Sequence, residues 1–303
     1  MSKRSAFIPV IGAPNAGKST LVNALVGAKV SIVTQKVQTT RARIRGILVD
    51  GDAQLVFTDT PGIFQPRRRL DRAMVAAAWE SLDGADVILL VVDAAAELGG
   101  PSKSTADTAA IIAALKARGA RATLALNKID KVARPDLLKL IAVMNEAGVF
   151  DAVFLISAEN GDGLKDLRAH LLSRARPGEW HFPEDQLSDI SDRLMAAEIT
   201  REKVFKRLHQ ELPYESTVET TAWSRTKKGE LKIDQTIYVS RESQRPIVLG
   251  KGGATLKAIG EAARKELCDL FGETVHLFLT VVVREGWAEE RARYREMGLD
   301  IVD

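Results

Sequence analysis

Gly12-Ala13-Pro14-Asn15-Ala16-Gly17-Lys18-Ser19-Thr20 is the stretch whose reading decides the fold. It has the form GxxxxGK followed by Ser, directly after the apolar run Phe7–Ile11 and before a helical pattern over Lys18–Val26. Glycines at both ends let backbone N–H groups curl around phosphate oxygens, and the N-terminus of the following helix adds its dipole. Lys18 is placed to bridge β- and γ-phosphates, and Ser19 to ligate Mg²⁺. The loop does not by itself say which nucleotide it holds.

Outward from this loop, short apolar runs alternate with helical patterns through residue 175. Leu55–Phe57, Val87–Val92, Thr123–Leu126 and Val153–Ile156 read as buried strands, with helices over Leu70–Leu82, Ser104–Ala117, Asp136–Glu146 and Leu164–Arg174. Runs apolar on both faces predict an α/β fold, a mostly parallel sheet with helices on both faces. Residues 177–192 lack periodicity and hold two prolines, which marks a linker. Beyond it the pattern is a helix over Arg193–Gln210, strands over Ser216–Ser224 and Leu231–Ser240, the stretch Ile247–Gly253, a helix over Thr255–Phe271 and a strand over Val275–Val283. The order αββααβ is an α+β module. The expected division is a first domain over 1–175, a linker and entry helix over 176–200, and a second domain with tail over 201–303.

Composition bounds the rest. With 303 residues, 46% hydrophobic and 27% charged, the chain is an ordinary globular one. Cys268 is the single cysteine, so no internal disulfide forms, and the four histidines show no zinc or haem spacing. The longest apolar stretch, near Val87–Val92, is too short to span a membrane, and the N-terminal run is broken by Pro9 and Pro14. A soluble, cytoplasmic protein is expected. The net charge of +3 is an average: residues 1–175 hold 23 basic and 17 acidic side chains, 176–303 hold 20 and 23, and 225–284 hold 11 and 7.

Three further segments sit at strand ends. Asn127-Lys128-Ile129-Asp130 follows Thr123–Leu126, and ligands of open α/β sheets bind at the carboxyl ends of strands. A carboxylate at Asp130 accepts from guanine's two adjacent N–H donors, a pair adenine lacks, so the wrong base leaves buried groups unpaired. Asn127 is expected at the ring edge and the Lys128 stem over the base. Asp59-Thr60-Pro61-Gly62 ends the strand Leu55–Phe57. There Asp59 is placed to hold Mg²⁺ through water and Gly62 to offer its N–H to the γ-phosphate. In Val37-Gln38-Thr39-Thr40-Arg41 either threonine hydroxyl could close the Mg²⁺ shell. Ser157-Ala158, after another strand, could support the base through the Ala158 N–H.

Five such elements in this order resemble the GTP-binding protein superfamily. The Thr39-Thr40-Arg41 segment, the linker Pro183–Leu187 and the rest of the chain are similar to the Era family of ribosome-associated bacterial GTPases. The resemblance selects Thr40 over Thr39. It implies GTP, GDP and Mg²⁺ as ligands, a GTP site over Gly12–Thr20, Asp59–Gly62, Asn127, Lys128, Asp130, Ser157 and Ala158, and Lys18, Thr40 and Gly62 as catalytic groups. The metal would lie on Ser19, Thr40 and Asp59. Where Ras-like enzymes carry a water-orienting glutamine, this chain has Ile63, a hydrophobic substitution the family shares. Gln65 is read as an exposed loop residue, Arg67-Arg68-Arg69 as a solvated charge run, and slow unaided hydrolysis is expected.

In the second module, Gly250-Lys251-Gly252-Gly253 is a GxxG loop between helical segments, near Arg241, Arg245, Lys257, Arg264 and Lys265. Such a loop lets backbone approach the phosphates of about four unpaired bases. The module resembles a type II KH domain. The expected RNA contacts are Gly250, Lys251, Gly252, Gly253 and Lys257. The resemblance implies the single-stranded 3′ end of small-subunit rRNA and the small ribosomal subunit as partners, a role in subunit assembly, and peripheral association with the inner face of the plasma membrane. Acidic flanks, six acids against three arginines over 285–303, favour recognition confined to the GxxG groove. The alternatives are a membrane-surface GTPase whose C-terminal module binds protein or lipid, and a small-molecule phosphotransferase, against which the Asn127–Asp130 segment argues.

Overall fold

The computed structural model describes residues 2–300. They pack as two compact units, the first from 2–31, 40–189 and 297–300, the second from 32–39 and 190–296.

The first unit runs β1 (Arg4–Ile11), α1 (Lys18–Val26), β2 (Ile44–Asp50), β3 (Ala53–Asp59), α2 (Arg69–Glu80), β4 (Ile88–Asp93), α3 (Ala94–Leu98), α4 (Lys103–Ala117), β5 (Ala122–Asn127), α5 (Arg134–Glu146), β6 (Phe150–Leu155), α6 (Leu164–Ser173) and β7 (Arg176–Pro177). Its sheet has the order β2-β3-β1-β4-β5-β6, with β7 antiparallel to the start of β1. Only β2 along that path is antiparallel to its neighbour. Successive strand residues feed opposite faces. Ile8, Val10, Leu89 and Val91 pack with Leu21, Val22 and Leu171 on one side. Leu90, Val92, Leu124 and Leu126 pack with Ile111, Leu115 and Leu140 on the other. The predicted doubly covered sheet is therefore present, and β1, β3, β4 and β5 all point their carboxyl ends to one edge.

Strand β2 was not among the predicted elements. Arg45 and Gly46 break its apolar run, and Gly46 is needed because a Cβ there would lie 2.9–3.2 Å from methyls of Val26, Val22 and Val30.

The expected boundaries near residues 175 and 200 also differ from the structure. Segment 176–189 belongs to the first unit, because its backbone groups are satisfied there. Buried Gln54 accepts from the His181 and Phe182 N–H groups (2.9 and 3.1 Å) and donates to Phe182 O at 2.8 Å. Trp180 Nε1 donates to Asp52 O at 3.1 Å, and Ile47 N to Leu187 O at 2.9 Å. Gln54→Leu leaves three backbone groups without their partner, and the cost should be about 2–5 kcal/mol. Denaturant unfolding of the variant, with a lower midpoint and an unchanged slope, is the check.

The second unit runs α7 (Asp192–Arg207), β8 (Ser216–Arg225), β9 (Leu231–Val239), α8 (Arg245–Leu249), α9 (Ala254–Phe271), β10 (Val275–Val283) and α10 (Arg291–Glu296), with the predicted αββααβ order at its centre. The sheet order is β10-β9-β8, with β10 parallel and β8 antiparallel to β9. Val204, Val218, Ile237, Val248, Ile259 and Val281 share its core. Residues 32–39, expected within 1–175, belong to this unit, and 297–300, expected with the tail, belong to the first, where Arg43 N donates to Met297 O at 3.1 Å. Residues 301–303 lie outside the described residues. No helix among the described residues is long and apolar enough to cross a membrane.

Candidate functional site

The first three glycines of the site are fixed by steric need. Gly12 and Gly17 have φ of +153° and +97°; a Cβ on Gly12 would lie 2.3 Å from Val91 O, and one on Gly17 2.2 Å from Asn127 Nδ2. A Cβ on Gly62 would lie 2.9 Å from Pro14 Cα and N, so the end of the Asp59–Gly62 segment sits directly on the phosphate loop. Thr60 Oγ1 donates to Val10 O at 2.8 Å, and Ile63 N to Gly12 O at 3.1 Å, which hold that approach from both sides of Pro61.

Lys18 is buried, with Nζ donating to Gly12 O at 3.2 Å and Ala13 O at 3.0 Å. Burial pushes its ammonium down to about 8, against the raising effect of Asp59. A buried cation whose hydrogen bonds here go to two neutral carbonyls is matched to an anionic ligand. Ser19 Oγ and Thr40 Oγ1 are 2.8 Å apart, and Thr40 Oγ1 donates to Asp59 Oδ2 at 3.4 Å. Asp59 is fully buried, and its Oδ1 has no hydrogen-bond partner among the described residues. Burial raises its carboxyl, while Ser19, Lys18, Ser31 and Thr40 oppose that rise. Two hydroxyls and one orphaned carboxylate oxygen form a hard oxygen donor set, which fits Mg²⁺.

In the Asn127–Asp130 loop, Asn127 bridges two loops: Nδ2 donates to Ala16 O at 2.9 Å, and Oδ1 accepts from Ala158 N at 3.0 Å, which leaves the second Nδ2 hydrogen for the expected ring edge. The Ala158 N–H, expected to support the base, is thereby engaged, so Asn127 and Ala158 brace the site. Ser157 is buried and accepts from Asn160 N at 3.3 Å through Oγ. Lys128 adopts φ +64° and donates to Asn15 O at 2.7 Å and Asp93 Oδ2 at 2.5 Å. Asp93 was missed in the sequence; its position at the end of β4, level with the other motifs, was the available signal. Asp130 is exposed, its carboxylate open to a ligand.

Ile63 is buried in the core and has no polar side-chain atom for a water. Gln65 is exposed, and its backbone N–H is accepted by Asp107, whose carboxyl burial raises. The N–H groups of Arg67 and Arg68 donate to Asp71 Oδ2, both at 3.1 Å, capping α2.

In the second unit the GxxG loop joins α8 to α9. Gly250 has φ +73° and ψ 173°, and a Cβ would lie 2.2 Å from Thr255 Oγ1 and 2.8 Å from Thr255 N. Gly252 and Gly253 are also left-handed but face open space. Lys251 and Lys257 are exposed, and Lys257 makes a long 3.9 Å pair with Glu261. Trp287 is 1% exposed, with Nε1 bonded to Glu215 O and Ser240 Oγ, and Trp223 packs edge-on to Phe271. Both are packing residues.

A phosphate loop, an orphaned carboxylate at the end of β3 and an Asn-Lys-x-Asp loop at the end of β5 define a GTPase of the phosphate-loop class. A GxxG module follows it in the chain. Residues 7–128 match the family model of the 50S ribosome-binding GTPases, and residues 211–288 that of the KH domain. The chain is 56% identical over 297 residues to GTPase Era of Brucella suis, covering 98% of this chain and 94% of the relative. It is 55% identical to GTPase Era of Caulobacter vibrioides, covering 98% and 96%. A crystal structure of Era in complex with MgGDPNP and nucleotides 1506–1542 of 16S ribosomal RNA superimposes with a TM-score of 0.89 at 36% identity, covering 98% of this chain and 99% of that one. An Aquifex aeolicus Era variant bound to GDP·AlF4⁻ gives the same TM-score and identity over 97% of this chain and 99% of its own. The chain belongs to the Era family of GTPases, and its activity is GTP hydrolysis.

Proposed function

We propose that this GTPase is a nucleotide-operated switch whose KH unit binds the single-stranded 3′ end of small-subunit rRNA and assists assembly of the small ribosomal subunit. The observation that carries this is the Gly250–Gly253 loop, whose first position has room only for glycine. The Era relative solved with 16S rRNA nucleotides 1506–1542 supports the choice of RNA. Peripheral membrane association has no described residue behind it and is not included.

At the nucleotide, Lys18 meets the charge of the β- and γ-phosphates, with backbone N–H groups of Gly12–Thr20 around them. Ser19, Thr40 and Asp59 would hold Mg²⁺, which neutralises charge on the phosphate oxygens. Gly62 offers its N–H to the γ-phosphate, and the Thr60 hydroxyl and Ile63 N–H keep it against Pro14. Asp130 reads guanine, Lys128 covers the base, and Asn127, Ser157 and Ala158 keep the two loops in register. Ile63 cannot orient the attacking water, so the unaided rate is low. Ordering of the Thr40 and Gly62 segments by the γ-phosphate is the step that changes RNA binding.

At the RNA, Lys251 and Lys257 meet phosphates beside Gly250, Gly252 and Gly253. Lys251→Asp should weaken binding of an rRNA 3′-end oligonucleotide at least about tenfold and flatten its salt dependence by about one unit of slope. GDP affinity should stay unchanged. Filter binding with GTP analogue, GDP and no nucleotide tests the coupling, and identical RNA affinities in all three would remove it.

A further inference from the structure

Segment 32–39 precedes Thr40 and is bonded to α7 of the second unit at three places. Val33 N donates to Glu202 Oε1 at 3.2 Å. Lys36 Nζ donates to the Phe205 and Leu208 carbonyls at the helix C-terminus, where carbonyls lack intrahelical partners. Arg201 Nη2 donates to Thr39 O. Within the segment, Thr39 Oγ1 donates to Lys36 O at 2.7 Å and Thr34 Oγ1 accepts from Lys36 N at 3.1 Å, which close 34–39 into a turn.

Arg201 is the unusual member. It is 1% exposed, its Nε and Nη2 fork onto Glu198 at 2.7 and 2.5 Å, and its guanidinium lies 5.0 Å from the centre of the Phe205 ring. Nη1 is buried with no partner among the described residues. A buried ion pair stabilises a fold little better than packed apolar side chains of the same volume, and an unpaired buried donor makes it worse. Packing therefore does not account for an arginine at this position. The Thr39 carbonyl does, because a rigid, always-charged planar donor fixes one oxygen in place. Thr39 is the last residue of this segment and is followed directly by Thr40, whose hydroxyl lies 2.8 Å from that of Ser19.

We propose that Arg201 is a positioning residue for GTP hydrolysis: through Glu198 and the Thr39 carbonyl it holds the backbone from which Thr40 reaches the metal and the γ-phosphate. It touches neither substrate nor metal. The proposal rests on the role given to Thr40 above. Because Thr40 is needed only when a γ-phosphate is present, loss of Arg201 should separate the two nucleotides.

The test uses the full chain. A double variant Glu198→Leu/Arg201→Met removes both charges without leaving either buried alone, Arg201→Lys retains a cation, and Ile199→Ala weakens the same helix's packing without touching Thr39. Thr40→Ala is the reference. Single-turnover hydrolysis and affinities for GDP and for a non-hydrolysable GTP analogue are measured with Mg²⁺, and thermal unfolding reports folding. The double variant should keep GDP affinity within twofold while analogue affinity and rate fall about 10- to 100-fold, the range that misplacement by about 1 Å produces. Arg201→Lys should recover part of that loss. Ile199→Ala should melt earlier yet hydrolyse normally. A folded double variant with rate and nucleotide preference within twofold of wild type, alongside a collapsed Thr40→Ala, overturns the proposal and leaves the reading of Thr40 standing. An unaffected Thr40→Ala overturns both.

Discussion

Asp130→Ala should lower affinity for GDP and GTP alike by about 100-fold or more while leaving the fold intact. The side chain is exposed in the short turn Ile129–Lys131 that follows β5, so its removal opens no cavity. On the base-reading role proposed for Asp130, the loss is a carboxylate accepting two N–H donors from one ring, each such charged hydrogen bond contributing about 1.5–3 kcal/mol. The deficit should be equal for the two nucleotides, since the base is common to both. Titration of a fluorescent guanine nucleotide, with competition by ATP, checks both points. Guanine preference should shrink along with affinity, because the discriminating acceptor is the group removed. An Asp130→Ala protein that still prefers GTP over ATP as strongly as wild type would move base recognition to another residue.

Gly250→Ala should abolish measurable binding of the rRNA 3′-end oligonucleotide and leave GDP binding untouched. The φ and ψ of Gly250, +73° and 173°, lie in a region essentially closed to residues with a Cβ, costing about 1–3 kcal/mol. The added methyl would also meet Thr255 Oγ1 at 2.2 Å and the Thr255 backbone nitrogen at 2.8 Å. Side-chain rotation relieves the first contact but not the second. The loop must therefore open away from α9, and the backbone that approaches phosphate changes shape. Gly252→Ala is the internal comparison. Its Cβ would meet nothing, so it carries only backbone strain at φ +60° and should lose less. Filter binding of both variants, with thermal unfolding to confirm that the second unit is folded, gives the ranking. Equal losses would mean that flexibility rather than shape matters at this loop.

Much of this site was legible because its chemistry is local. The spacing from Gly12 to Ser19 and the placement of Asp59, Asn127 and Ser157 at strand ends follow from apolar runs and short motifs, and the structure puts all of them at one sheet edge. What was not legible depends on partners distant in sequence. That Asn127 also ties two loops together, through Nδ2 on Ala16 O and Oδ1 on Ala158 N, cannot be read from its tetrapeptide. Ile44–Asp50 did not read as a strand because Arg45 and Gly46 interrupt it, yet pairing with β3 and the methyls beneath Gly46 make it one. Segment 178–189 looks like free linker because its satisfaction comes from Gln54, more than 120 residues earlier. Periodicity reports what a segment can bury and is silent about which distant side chain will satisfy its backbone.

The two units are interleaved in sequence, with crossings at 31/32, 39/40, 189/190 and 296/297. No single cut of the chain separates them cleanly. A fragment ending at residue 189 keeps 32–39 but loses Glu202 and Arg201, the groups that satisfy it, and a fragment starting at 190 loses that segment altogether. Shuffling of whole modules between proteins, easy where domains follow one another like beads, is blocked here. A foreign module spliced in at residue 190 would have to bring its own receptor for a loop encoded 150 residues upstream, so the two halves of this molecule are bound to be inherited together.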